Sequence, residues 1–133
     1  MTRNEAREIL MQVLYEMDAS KTMDNDTVKK LTQQRLAGNH KERGMKLLTG
    51  IVDNLQQIDD KINQSSKSWK TGRMPKVDLA IMRLALGEIS FLDDVPVAVT
   101  INEAINLAKK FSTEQSSRFI HGVLGAIVNS DEK

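Results

Sequence analysis

The chain has 133 residues, enough for one compact domain that buries most of the surface its unfolded form exposes. Hydrophobic residues make up 40% and charged residues 28%, which excludes a wholly disordered protein; a formal charge of +1 excludes any global attraction to nucleic acid or anionic lipid, so such binding must come from local patches. The absence of Cys removes disulfides, thiolate zinc sites and thiol nucleophiles. With no apolar run near the ~18 residues of a membrane span and no signal-like N-terminus, a soluble cytoplasmic protein is expected.

Two prolines and 4% aromatic residues argue against strands, and the periodicity predicts an all-α fold. Ala6, Ile9, Leu10, Val13, Leu14 and Met17 form one helical stripe within residues 1–20, started by a Thr2–Glu5 capping box. A second amphipathic stretch runs from about Thr27 to Ala37, with Gly38-Asn39 as stop and restart. From Lys41 to about Ser65, Leu47, Leu48, Ile51, Val52, Leu55, Ile58 and Ile62 keep helical spacing and predict the longest helix. The Ser- and Lys-rich stretch Ser65 to Gly72 breaks the pattern, and Pro75 suits the first turn of the next helix. Between Val77 and Leu92 apolar residues wrap nearly all round, which predicts a central helix. After Pro96, Thr100–Glu103 and Ser112–Gln115 read as two more capping boxes. The last helix carries Phe119, Ile120, Val123, Leu124, Ile127 and Val128, with residues 130–133 expected to fray. The seven Met residues fall mostly at core-facing positions.

Catalytic and metal-binding patterns are missing. His40 and His121 have no ligand partner at helical spacing, the Asp59-Asp60 and Asp93-Asp94 pairs suit turns and caps, and no phosphate-cradling loop or nucleophile elbow occurs. No metal, no cofactor and no enzymatic activity are expected. Charge is uneven instead. Residues 29–46 hold six cations against Glu42, and residues 61–76 hold five with no acid; each stretch reads either as solvated surface or as a contact for phosphate. Arg3 and Arg7 stand at i, i+4 on the first helix, although Glu5 and Glu8 weaken that patch. The segment from Lys109 to Phe119 opens the last helix with Ser, Gln, Lys and Arg around unpaired N–H groups, a credible phosphate or base-edge site. Trp69, between Lys67 and Lys70, reads as a lid over the core or as a base-stacking platform, and Phe119 has the same two readings.

The spacing Arg3-x-x-x-Arg7 with Leu14-Tyr15, the run Val77-Asp78-x-Ala80-Ile81-x-Arg83-x-Ala85-Leu86-x-Glu88, then Val95-Pro96, the block Ile101-Asn102-Glu103-Ala104-Ile105-x-Leu107-Ala108-Lys109-x-Phe111, and finally Phe119-Ile120-His121-Gly122-Val123-Leu124 resemble the NusB family over nearly the whole length. The resemblance implies six or seven helices arranged as two three-helix units sharing one core, in a single domain of residues 1–133. It also implies a transcription antitermination factor that binds boxA RNA of ribosomal RNA transcripts together with the ribosomal protein NusE, within the transcription elongation complex. A homodimer is compatible with it.

The resemblance carries Arg3, Arg7, Arg118 and Phe119 over as RNA contacts and Tyr15 and Asp78 as positions on the side that meets NusE; with Asn4 beside the arginines and Lys110, Gln115 and Ser116 from the entry of the last helix, they make up the expected RNA-binding and partner-binding sets. Arg7→Ala and Arg118→Ala are expected to weaken RNA binding with little effect on unfolding. The family often has further basic residues where this chain has Asn4 and Glu5, which implies weak RNA binding by the protein alone. It also often has an acidic residue at Gln115, Asn-Gly at His121-Gly122, and Tyr at Gly87, which questions the regularity of the central helix. One alternative is a purely protein-binding helical adaptor or homodimer. Another is the RNA-targeting domain of a ribosomal RNA cytosine methyltransferase, which calls for an attached cofactor-binding domain and a nucleophilic Cys.

Overall fold

The computed structural model describes residues 1–131 and contains seven helices and no strand among them. They are α1 (Arg3–Ser20), α2 (Asn25–Arg35), α3 (Asn39–Asp53), α4 (Leu55–Ser65), α5 (Lys76–Phe91), α6 (Val97–Phe111) and α7 (Glu114–Asp131). The expected fraying from residue 130 falls partly outside the described residues, and α7 itself reaches Asp131.

The first helix starts as its sequence predicts. The Thr2 hydroxyl accepts from the Glu5 N–H at 3.1 Å and the Glu5 carboxylate accepts from the Thr2 N–H at 3.4 Å, which satisfies two otherwise orphaned donors. Between α2 and α3 the chain turns at Gly38, whose φ of +57° lies in the region that side chains disfavour. The single long helix expected from Lys41 to Ser65 is two helices. At Asn54 the chain leaves the helical path (ψ +27°), and its side-chain amide donates to the Gly50 carbonyl at 2.8 Å, competing with the helical ladder where α3 ends. The apolar spacing survives this break because both helices face the same core.

The two later capping boxes do not form. Thr100 lies inside α6, which already begins at Val97, and its hydroxyl donates to Glu88 at 3.3 Å. At α7 it is Thr113 that caps, accepting the Ser116 N–H at 2.9 Å, while Ser112 donates to Asp78 at 2.8 Å. Pro75 sits one position before α5, in extended conformation.

Helices α1, α2 and α3 pack on one another, and α7 packs on both α4 and α6; α5 lies between the two groups and touches α1, α3, α4, α6 and α7. Its residues from Asp78 to Glu88 are buried without interruption, as an apolar helix in mid-protein requires. Gly87 does not interrupt it. Side-chain atoms of Ile51 come within 2.5–2.6 Å of where a Cβ would stand, so α3 packs directly on the α5 backbone at that point. Met11, Met17, Met74 and Met82 are buried in the same core.

Three charged side chains on the central helix are also inside. Arg83 donates to both Asp59 oxygens at 2.9 and 2.7 Å and lies 3.6 Å from Asp18, tying α5 to α4 and α1. Glu88 ties α5 to α1 through Arg7 and to α6 through Thr100. Asp78 joins the start of α5 to the end of α6 through Ser112.

Candidate nucleic-acid interface

The beginning of α1 and the end of α6 meet. Lys110 reaches Glu8 at 2.6 Å across 102 positions of sequence, and a small polar recess of about 150 Å³ between the two helices is lined by Asn4, Arg7, Glu8, Glu103, Asn106, Leu107 and Lys110. Helix α7 starts three residues after α6 ends. Its exposed first turns present Gln115 and Arg118, with Phe119 partly buried beside Trp69. Residues from the two ends of the chain are therefore linked through α6.

The expected contact residues divide by exposure. Arg3, Asn4, Lys110, Gln115 and Arg118 are exposed and Phe119 is partly so. Arg7, Ser116 and Asp78 depart from the expectation of surface contacts because all three are buried. Arg7 is only 5% exposed, and its guanidinium donates twice to Glu88, at 3.0 Å from both Nε and Nη2, while Nη1 lies 3.7 Å from Glu103. A planar fork already matched to a carboxylate has few donors left for a phosphate. The Ser116 N–H is absorbed by the Thr113 cap. One Asp78 oxygen accepts from Ser112 and the other is buried without a hydrogen-bond partner. Tyr15 is exposed on α1.

Carboxylates hold the cations of the α1–α6 region. Arg3 stands 3.7 Å from Asp94, which also accepts a two-pronged bond from Arg43 at 2.8 and 3.2 Å. The Arg43 hydrogen bonds, assisted by the charges of Arg43 and Arg3 and opposed by partial desolvation, hold the Asp94 carboxyl below its ordinary value of 3.8. With a folded value below the unfolded one, this cluster stabilises the protein above that range and stops doing so as acid protonates Asp94. Arg118, Lys67 and Arg73, by contrast, make no ion pair with any described residue and are exposed.

A family model described as the NusB family matches residues 4–129. The chain belongs to the NusB family. Among its relatives, the transcription antitermination protein NusB of Clostridium acetobutylicum is 38% identical, with 100% of this chain and 99% of the relative aligned. NusB of Acetivibrio thermocellus is 41% identical over 96% of this chain and 89% of its own length. Among solved structures, NusB of T. maritima superposes with a TM-score of 0.86 at 31% identity, covering 97% of this chain and 92% of that one. A NusB solved with NusE in complex with double-stranded RNA gives a TM-score of 0.82 at 25% identity, covering 96% of each chain. The all-α fold and the helix count of six or seven that the resemblance implies are those of the structure.

Sequence reasoning missed the partners more than the residues. Glu8 was visible as a weakening charge, but nothing along the chain pairs it with Lys110 or pairs Arg3 with Asp94, 91 positions apart. Trp69 and Phe119 likewise stand 50 positions apart and meet only in the folded state.

Proposed function

We propose that this protein is a non-enzymatic, cytoplasmic transcription antitermination factor that binds boxA RNA of ribosomal RNA transcripts jointly with NusE, as part of the transcription elongation complex. The observation that carries this reading is the α1–α6 contact at Lys110 and Glu8, which links Arg3 and Asn4 to the start of α7. Membership in the NusB family and the likeness to a NusB solved with NusE and RNA support it. No described helix is long and apolar enough to cross a membrane.

In this reading Arg3, Asn4, Lys110, Gln115, Arg118 and Phe119 meet RNA, and Arg7 and Ser116 hold the surrounding backbone and side chains in place. Tyr15 faces NusE, and Asp78 acts on that side through the α5–α6 junction. Intramolecular pairing leaves few free cations on α1, so affinity of the protein alone is low and specificity is shared with the partner.

The test is binding of single-stranded boxA-like RNA across a salt series, with and without NusE. Log affinity falls with log salt by about 0.7 per phosphate neutralised. A gain with NusE is expected, and an affinity that NusE leaves unchanged returns the protein to the class of protein-only helical adaptors. Releasing Lys110 sharpens the test. Glu8→Gln removes an exposed ion pair worth at most about 1 kcal/mol, so RNA binding at low salt should tighten by up to about fivefold with unfolding nearly unmoved. Weaker binding would assign Glu8 to the RNA contact itself.

A further inference from the structure

The stretch between α4 and α5 has no place in the interface described above, yet it forms the other wall of the recess at the start of α7. This recess of about 340 Å³ is lined by Ser68 and Trp69 from the link and by Gln115, Arg118 and Phe119 from α7. The two rings meet edge to face, with centroids 5.3 Å apart and planes at 69°. In such a pair the contact uses one ring's edge and one face of the other, so stacking surface remains for a third planar group. The link is also held in place. Ser66 is buried and its hydroxyl donates to the Trp69 carbonyl, while the Lys70 ammonium donates to the Asn63 and Ser66 carbonyls at 2.7 and 2.8 Å, closing the end of α4. Lys70 is thereby spent on structure. Lys67, next to Ser68, is exposed and makes no ion pair with a described residue, as is true of Arg118 across the recess. The one acid nearby on α7 is Glu114, which stands outside the lining.

We propose that the RNA path continues from α7 onto this link, where Trp69 stacks on an unpaired nucleobase seated in the recess and Lys67 and Arg118 flank it as phosphate contacts. The inference rests on the RNA-binding reading of the protein and adds to it a base-binding residue and a phosphate contact outside the segments that the family resemblance assigns. The recess is large enough for one base, the Gln115 amide supplies donor and acceptor for a base edge, and neither Arg118 in its lining nor Lys67, the residue before Ser68, is paired with an acid of the described residues.

Trp69 is the sole tryptophan of the chain, so its emission reports this recess alone. Titration of the protein–NusE complex with a boxA-like single-stranded oligoribonucleotide, followed both by anisotropy of a label on the RNA and by tryptophan emission corrected for that of NusE alone, separates the two claims. Quenching and reduced acrylamide access that track the anisotropy curve are expected. If the RNA binds while Trp69 emission and access stay constant, the stacking proposal is overturned and the RNA-binding reading stands; if no RNA binds, the broader reading falls first. Trp69→Leu should weaken binding by roughly fivefold or more, and Trp69→Phe, which keeps a ring, should restore much of it. Equal losses in both variants, tracking their unfolding midpoints, would mark Trp69 as packing only. Lys67→Ala, on an exposed side chain, should reduce the salt slope by about 0.7, and an unchanged slope removes Lys67 from the path.

Discussion

Glu88→Ala should lower the free energy of unfolding by about 3–5 kcal/mol, the usual cost of leaving one member of a buried ion pair without its partner. Glu88 is 3% exposed and Arg7 5% exposed, and the only other acid near the guanidinium among the described residues, Glu103, stands at 3.7 Å without a hydrogen bond to it. The guanidinium would keep its charge at any accessible pH while losing both bonds to the carboxylate, and Thr100 would lose its acceptor as well. In thermal terms the loss amounts to a fall of roughly 10–20 °C in Tm for a chain of this size. Arg7→Ala should cost a similar amount, against the sequence-based expectation that its removal leaves unfolding almost untouched. The control is the double variant Arg7→Met with Glu88→Leu, which exchanges the pair for apolar groups and should recover most of the loss. Urea unfolding of the three variants with unchanged m-values checks this, and a loss below about 1 kcal/mol for Glu88→Ala would mean that the pair is solvated.

Arg83→Ala should cost about 2–3 kcal/mol, less than Glu88→Ala because its acidic partners keep some water. Arg83 itself is 6% exposed, whereas the Asp59 and Asp18 side chains are 18% and 19% exposed. The variant loses two short charged hydrogen bonds to Asp59 and leaves Asp18 with only Lys76, at 3.3 Å, as a cationic neighbour. Three helices are loosened at once, since the guanidinium joins α5 to α1 and to α4. Asp59→Asn should be milder, because an amide oxygen can still accept one of the two bonds. Equal losses in Arg83→Ala and Asp59→Asn, measured by the same unfolding curves, would show that the charge at Asp59 and not the guanidinium holds the junction.

These two knots were present in the sequence only as letters. In sequence Arg7 is indistinguishable from Arg3, four positions away on the same helix, and the family resemblance points both at RNA. The fold separates them, burying Arg7 under α5 and α6 and leaving Arg3 at the surface near Asp94. Arg83 and Glu88 sit in a run otherwise apolar on all sides, and that context was the available sign that they were internal. Capping boxes gave a similar lesson. Thr2–Glu5 closes its box because everything it needs lies within one turn, whereas Thr100 and Ser112 turn to the buried acids Glu88 and Asp78, which no local pattern reveals.

What the order of residues determined by itself was the set of helices, their inward faces and the central position of α5, because these follow from spacing within about twenty residues and from the exclusion of water from apolar stripes. Even there the break at Asn54 was hidden, since two helices on one core share one apolar rhythm. What only the tertiary structure decided was the fate of each charge: whether a cation would be spent on an internal carboxylate, as at Arg7 and Lys110, or left open, as at Arg118 and Lys67. The energy of an ion depends on which opposite charge and how much water lie within a few ångströms of it, and those neighbours come from positions dozens to a hundred residues away.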